Sequence, residues 1–179
     1  MFDIFIERDF SPPLSREHVF AMTNESAGCF GLYKVSWCES FLALDGSRMI
    51  CHFRAPDTES VRIAFRQTGS GDADLWPGTV HLAPDPTPME PNVVVERHFE
   101  QPVTLQSIQK IEDAGSWCLE THQVKFVRTY FSRQRTRMIC LYHAPDAEAV
   151  RLAQRKAEMP VDRVWAFQRL SPEDMASSG

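Results

Sequence analysis

Apolar and polar positions along this chain follow two periods, and the switches between them mark out its elements. Phe2 to Arg8 and Val93 to Arg97 are rich in β-branched and aromatic residues and predict opening strands. After each, apolar or small residues recur at helical spacing: Val19, Met22, Ser26 and Cys29, then Ile108, Ile111, Gly115 and Cys118. Ser15 and Thr104 stand where a hydroxyl can accept unpaired amide protons as a helix N-cap. Strands follow near Val35–Leu44 and Arg48–Arg54, joined by Asp45-Gly46, a strong tight-hairpin signal. The matching place later in the chain holds Gln134-Arg135, which predicts a turn built differently. At Ala55-Pro56-Asp57 the proline stops a ladder, Asp57 caps the next helix and Glu59 suits its positive end. Asp146 and Glu148 repeat the arrangement, and Trp76 and Trp165 fall on closing strands. Each half therefore reads as strand, helix, strand, strand, helix, strand.

The halves are copies. Shifting the chain by 89 residues places Glu7-Arg8 on Glu96-Arg97 and Arg48-Met49-Ile50-Cys51 on Arg137-Met138-Ile139-Cys140. The same shift places Ala55-Pro56-Asp57 on Ala144-Pro145-Asp146. Residues 4–76 and 93–165 share 19 identities in 73 positions without a gap. Such self-similarity indicates two homologous units. The expected organisation is one repeat over 1–81, a proline-rich linker over 82–91, a second repeat over 92–170 and a flexible tail over 171–179. The order βαββαβ predicts the ferredoxin-like plan, an antiparallel sheet with two helices on one face. Two such units can cover each other's bare sheet faces, so the expected fold is α+β, an intramolecular pseudo-dimeric α/β barrel. A monomer is possible on this plan, and residues 1–82 alone are expected to self-associate.

Composition narrows the class of function. Nineteen Lys and Arg against 24 Asp and Glu give a net charge of −5, which disfavours a phosphate-binding surface and hence nucleic acid. No apolar run approaches the roughly 20 residues of a membrane helix, and acids near the start do not suit a signal peptide. Five cysteines then read as reduced thiols in a cytoplasmic protein.

Motifs of strong catalytic specificity are missing: there is no Gly-x-Ser-x-Gly, P-loop, His-Glu-x-x-His or Cys-x-x-Cys. By period two, Val35, Trp37, Glu39 and Phe41 share one strand face, and Val124, Phe126, Arg128 and Tyr130 share its counterpart. Cys51 and Phe53 lie on the next strand, matched by Cys140 and Tyr142. Aromatics around one ionisable group suit a partly dry pocket. Trp37, Arg128, Tyr130 and Tyr142 are thus expected to line a ligand cavity, with Glu7, Glu39 and Cys51 as candidate metal ligands. Cys29 and Cys118 continue the helix stripes as core thiols, and Glu7-Arg8 and Glu96-Arg97 suit ion pairs at a sheet end.

Three segments carry a family resemblance: Phe5 to Phe10, Ile139 to Arg151 and Met159 to Trp165. They resemble a small bacterial nickel-binding family long catalogued as a domain of unknown function, once per half. The resemblance implies ferredoxin-like units that pair into α/β barrels and can hold nickel or another divalent metal. Family members often carry His on the second strand in a Trp-x-His-Ser-Tyr pattern. Glu39 stands there in the first half and Arg128 in the second; glutamate can ligate a divalent cation, arginine cannot. A cation is therefore expected only in the first half. The leading reading is a non-catalytic protein holding a divalent metal or a small ligand in the inter-sheet cavity. The alternative is a cofactor-independent monooxygenase or isomerase using Glu39 or Glu7 as general base.

Overall fold

The computed structural model describes residues 1–71, 73–85 and 88–177. Pro86 and Thr87 of the proline spacer, and Ser178 and Gly179 of the expected tail, lie outside the described residues. Two compact units emerge. The first holds Met1–Gly78 together with Gln168–Gly179, and the second holds Thr79–Phe167.

The first unit runs β1 (Phe2–Asp9), α1 (Arg16–Leu32), β2 (Ser36–Ala43), β3 (Arg48–Ala55), α2 (Thr58–Gln67) and the start of β4 (Asp74–Leu82). Its antiparallel strands lie in the order β4-β1-β3-β2, the ferredoxin-like order. The second unit repeats it with β5 (Val93–His98), α3 (Leu105–Ala114), α4 (Ser116–Thr121), β6 (Lys125–Ser132), β7 (Arg137–His143), α5 (Ala147–Lys156) and β8 (Arg163–Leu170). Its order is β8-β5-β7-β6. The stretch expected as a tail carries α6 (Pro172–Ser177), whose Met175 packs on the first unit's core.

Local chemistry explains these elements. Ser15, Asp57, Thr104 and Asp146 each accept a backbone N–H as helix N-caps. The two hairpin turns differ in sequence and agree in backbone. Gly46 has φ 74° and Arg135 has φ 62°, each left-handed. A Cβ at Gly46 would overlap the Leu14 carbonyl, so glycine is required there, whereas Arg135 absorbs the strain. The expectation of a differently built second turn is corrected: the same turn is built from a costlier residue. The first long helix is continuous in unit one and breaks at Gly115 in unit two. A Cβ at Gly115 would stand 2.5 Å from that of Ala157, so glycine lets the end of α5 approach.

One core packs between sheet and helices in each unit. Ile4, Ile6, Cys51 and Phe53 meet Val19, Phe20, Val61 and Phe65. Val93, Val95, Cys140 and Tyr142 meet Ile108, Val150 and Ala153. Among the described residues no helix is long and apolar enough to cross a membrane.

Candidate functional site in the second unit

Strict alternation along β2 fails at one place. Pairing with β3 slips between Trp37 and Glu39, leaving Cys38 as an extra residue. Trp37 consequently packs on the helix-side core with Leu42, and its Nε1 donates to Ser40 Oγ at 2.9 Å. Glu39 and Phe41 are turned to the other side of the sheet, so Trp37 and Glu39 do not share a face as period two predicts. The same slip between Phe126 and Arg128 puts Phe126 on the helix side and Arg128 with Tyr130 on the other.

On that other side of unit one, Glu7 and Glu39 are both buried. Glu7 accepts from Arg48 Nη2 at 2.7 Å and from Trp76 Nε1 at 2.9 Å. Its neighbour Arg8 points the opposite way, donating to Ser70 O at 2.6 Å, so Glu7 and Arg8 do not form the expected ion pair with each other. Glu39 accepts from Arg169 Nε at 2.6 Å and stands 3.8 Å from His52 Nδ1, while His52 Nε2 meets Asp3 Oδ1 at 2.8 Å. Cys38 lies in the electrostatic field of Glu39 and Asp3; burial first, then those carboxylates, push its thiol up to about 11. Unit two keeps the tryptophan contact, with Trp165 Nε1 donating to Glu96 Oε1 at 2.6 Å. There the guanidinium of Arg128 lies 5.8 Å from the Tyr130 ring centre.

These positions bear on a resident nickel ion. Cys51 sits on the helix side, bonded by Ser40 Oγ at 3.0 Å, and pairs with Ile6; Glu7 is one residue along on the opposite face. Glu7, Glu39 and Cys51 therefore do not converge, and both Glu7 oxygens already take donors. Among the described residues no group of three or more His, Cys, Asp and Glu side chains is placed to hold a metal ion. The residues present do not fit a preformed nickel centre.

The helix side of unit two is different in kind. Beneath α3 lies a cavity of about 320 Å³, walled by Leu105, Ile108, Phe126 and Met138, with Glu112, Thr129 and Cys140 supplying polar atoms. Behind it the fully buried Arg97 donates to Pro160 O at 2.7 Å, Gln154 Oε1 at 2.7 Å and Tyr142 Oη at 3.2 Å. Tyr142 Oη in turn donates to Glu112 Oε1 at 3.3 Å. Burial raises the pKa of Glu112 against the pull of Arg97. Burial also raises Cys140 and Tyr142, which stay neutral at neutral pH. Larger hollows of the unit, one beside Met89 and His143 and one beside Trp117 and Lys156, have no such polar floor.

The matching space in unit one is about 30 Å³. Phe30, Phe53 and Phe65 fill it, their rings 5.5 to 5.7 Å apart. Of the expected ligand-lining residues, Tyr142 stands at the back of the unit-two cavity and Trp37 lines the small space in unit one. Arg128 and Tyr130 lie on the other face. Arg97, Glu112, Thr129 and Gln154 were not among the expected residues. A sequence signal existed for the last: the repeat aligns Gln154 with Phe65, a buried polar group in place of a core aromatic.

A family model described as Nickel responsive protein SCO4226-like matches residues 5–73 and 94–166. No curated protein matches the sequence. Among solved structures, a mutant chlorite dismutase from Candidatus Nitrospira defluvii in complex with cyanide is similar at TM-score 0.54 and 10% identity, covering 99% of this chain and 93% of that one. The chlorite dismutase of the same organism in complex with imidazole gives TM-score 0.52 and 11% identity, covering 99% and 94%. A heme-binding protein from Thermus thermophilus gives TM-score 0.47 and 9% identity, covering 99% and 94%. The likeness to the two chlorite dismutase structures is one of fold: α+β, ferredoxin-like repeats of the dimeric α/β-barrel type, as the sequence predicts.

Proposed function

The chain belongs to the SCO4226-like nickel-responsive family, and from that membership we propose that it is a non-catalytic binding protein whose small-ligand site is the cavity under α3. The carrying observation is the contrast between about 320 Å³ in unit two and about 30 Å³ at the matching place in unit one. A cleft with apolar walls and a few placed polar atoms is the usual form of a ligand site, and the volume lies within the range of about 300 to 1,000 Å³. Non-catalytic binding is favoured over the monooxygenase or isomerase reading because neither carboxylate expected as its general base, Glu7 or Glu39, lines this cavity. Glu7 accepts from Arg48 and Trp76, and Glu39 accepts from Arg169.

Calorimetric titration with 1-naphthol tests the site. Gln109 lines the cavity and is exposed, and the matching residue in unit one is Phe20. One saturable equivalent in the wild type and none in Gln109→Phe is the expected result. Equal binding by both would contradict the reading.

A second reading is cation capture at Glu39 and His52, favoured by an imidazole flanked at 2.8 and 3.8 Å by Asp3 and Glu39. Two converging donors make a weak site. Nickel titration should show at most one weak equivalent per chain, lost in Glu39→Gln. Two equal sites would sink this second reading.

A further inference from the structure

Resting on the cavity reading above, we propose that the ligand under α3 is an uncharged, largely apolar ring compound that donates a hydrogen bond from a hydroxyl or ring N–H to Glu112. The walls set the apolar part: Leu105, Ile108, Phe126 and Met138 present carbon surface. The floor sets the polar part by what it lacks. Thr129 Oγ1 donates its proton to Ile139 O at 3.0 Å, so toward the cavity it offers only a lone pair. Cys140 Sγ stands 3.2 Å from that same hydroxyl, whose lone pair takes the thiol proton. Arg97 directs its Nη donors to Pro160, Gln154 and Tyr142, its partnerless Nε is buried and Arg97 is not part of the cavity lining, and Tyr142 directs its own proton to Glu112. Gln106 and Gln109 line the exposed mouth beside His81, and what faces a ligand on the floor is a carboxylate and a hydroxyl lone pair. Both are acceptors, so the ligand brings the donor.

Charge excludes the obvious alternatives. Arg97 and Glu112 already balance each other through Tyr142. A cationic ligand would add an uncompensated charge beside buried Arg97, and an anionic one would face Glu112 across the cavity. A neutral donor escapes both penalties. Unit one supports the assignment by contrast. The residue matching Glu112 is Thr23, whose hydroxyl donates to Val19 O at 2.8 Å within its own helix. The first unit therefore has neither the space nor the carboxylate.

The test compares 1-naphthol with 1-methoxynaphthalene, which has the same ring and no O–H donor, by calorimetry on the full chain at pH 7. 1-Naphthol should bind about tenfold or more tightly than the ether, the scale of a hydrogen bond to a charged acceptor. Glu112→Gln should erase most of that difference. Gln109→Phe should abolish binding of both compounds, and Gln106→Trp, at a second exposed lining position, gives the same readout should the first variant fold poorly. Equal affinities for the two compounds, with Glu112→Gln unchanged but Gln109→Phe inactive, would overturn the ligand class and leave the cavity reading standing. No saturable binding to the wild type, or undiminished binding in a folded filling variant, would overturn both.

Discussion

Beneath α1, Phe30, Phe53 and Phe65 close on one another; beneath α3, the matching positions hold Leu119, Tyr142 and Gln154 around a buried arginine. Apart from the helix break at Gly115, the backbones around these two interiors follow the same course. Left-handed residues recur at matching places, Lys34 with Gln123, Gly46 with Arg135 and Gly69 with Glu158, although the residue types differ. Arginine occupies the same strand position in both, as Arg8 and Arg97. In unit one its guanidinium donates to Ser70 O and rests 5.9 Å from the Phe65 ring centre, an aromatic face that attracts a cation. In unit two the aromatic has become Gln154, and the guanidinium is held by three oxygen acceptors with no ring in that place. Duplication supplied a frame, and exchange of a few aromatics for polar side chains opened one copy while the other stayed closed.

The largest break in this comparison should come from removing what unit one borrows from the chain's end. Truncation after Phe167 deletes Leu170, fully buried in the first core, together with the Arg169 partner of Glu39. Losing a buried leucine alone costs about 2 to 5 kcal/mol, and loss of the Arg169 ion pair to buried Glu39 adds to that. Unit one should unfold first on heating, seen as early proteolysis within residues 1–78. A truncated chain that melts like the full one would show that the end is dispensable. The same deficit makes a monomeric, folded 1–82 fragment unexpected.

Exchanging one residue between the copies should have a smaller, directional effect. Phe65→Gln removes one of three packed rings, sets an amide beside the remaining two, and should cost about 3 kcal/mol by urea unfolding. Gln154→Phe removes an acceptor from buried Arg97, with a cost of about 2 kcal/mol. Neutral outcomes for both would mean that the two interiors are interchangeable and that their divergence carries no packing consequence.

The smallest effect concerns pH. Glu112 has a raised pKa in the folded chain, so folding favours its protonated form. The stability it contributes is present below the unfolded value of about 4.3 and is lost as pH rises through the higher folded value. Glu112→Gln cannot titrate, so its melting temperature should gain on the wild type across that window. A difference that stays constant with pH would remove the buried-carboxylate account. Unit one has no counterpart, since Thr23 does not titrate.

Much of the frame was legible in the sequence because it rests on local chemistry. Caps at Ser15, Asp57, Thr104 and Asp146 follow from hydroxyl and carboxylate reach, and the repeat is visible as identities at fixed spacing. The site was less legible for two reasons. A single extra residue at Cys38, and another before Arg128, reverses every later face assignment on its strand, and no residue type announces such a bulge. The second reason is that Arg97 lies within an apolar strand and reads as a strand-end charge; its burial depends on Gln154 and Pro160, which lie more than 50 residues away in sequence. Chain closure, which no local pattern encodes, brings them together.

Two matching methionines test the comparison most directly. Met138 lines the cavity under α3, and Met49 lines the small space under α1 at the same repeat position. In carbon-13 spectra of the methionine methyl groups, titration with 1-naphthol should shift the Met138 signal to saturation at one equivalent while the Met49 signal stays in place. A saturable shift of Met49, or a Met138 signal that never moves while the compound binds, would contradict the assignment of the ligand site to the second unit.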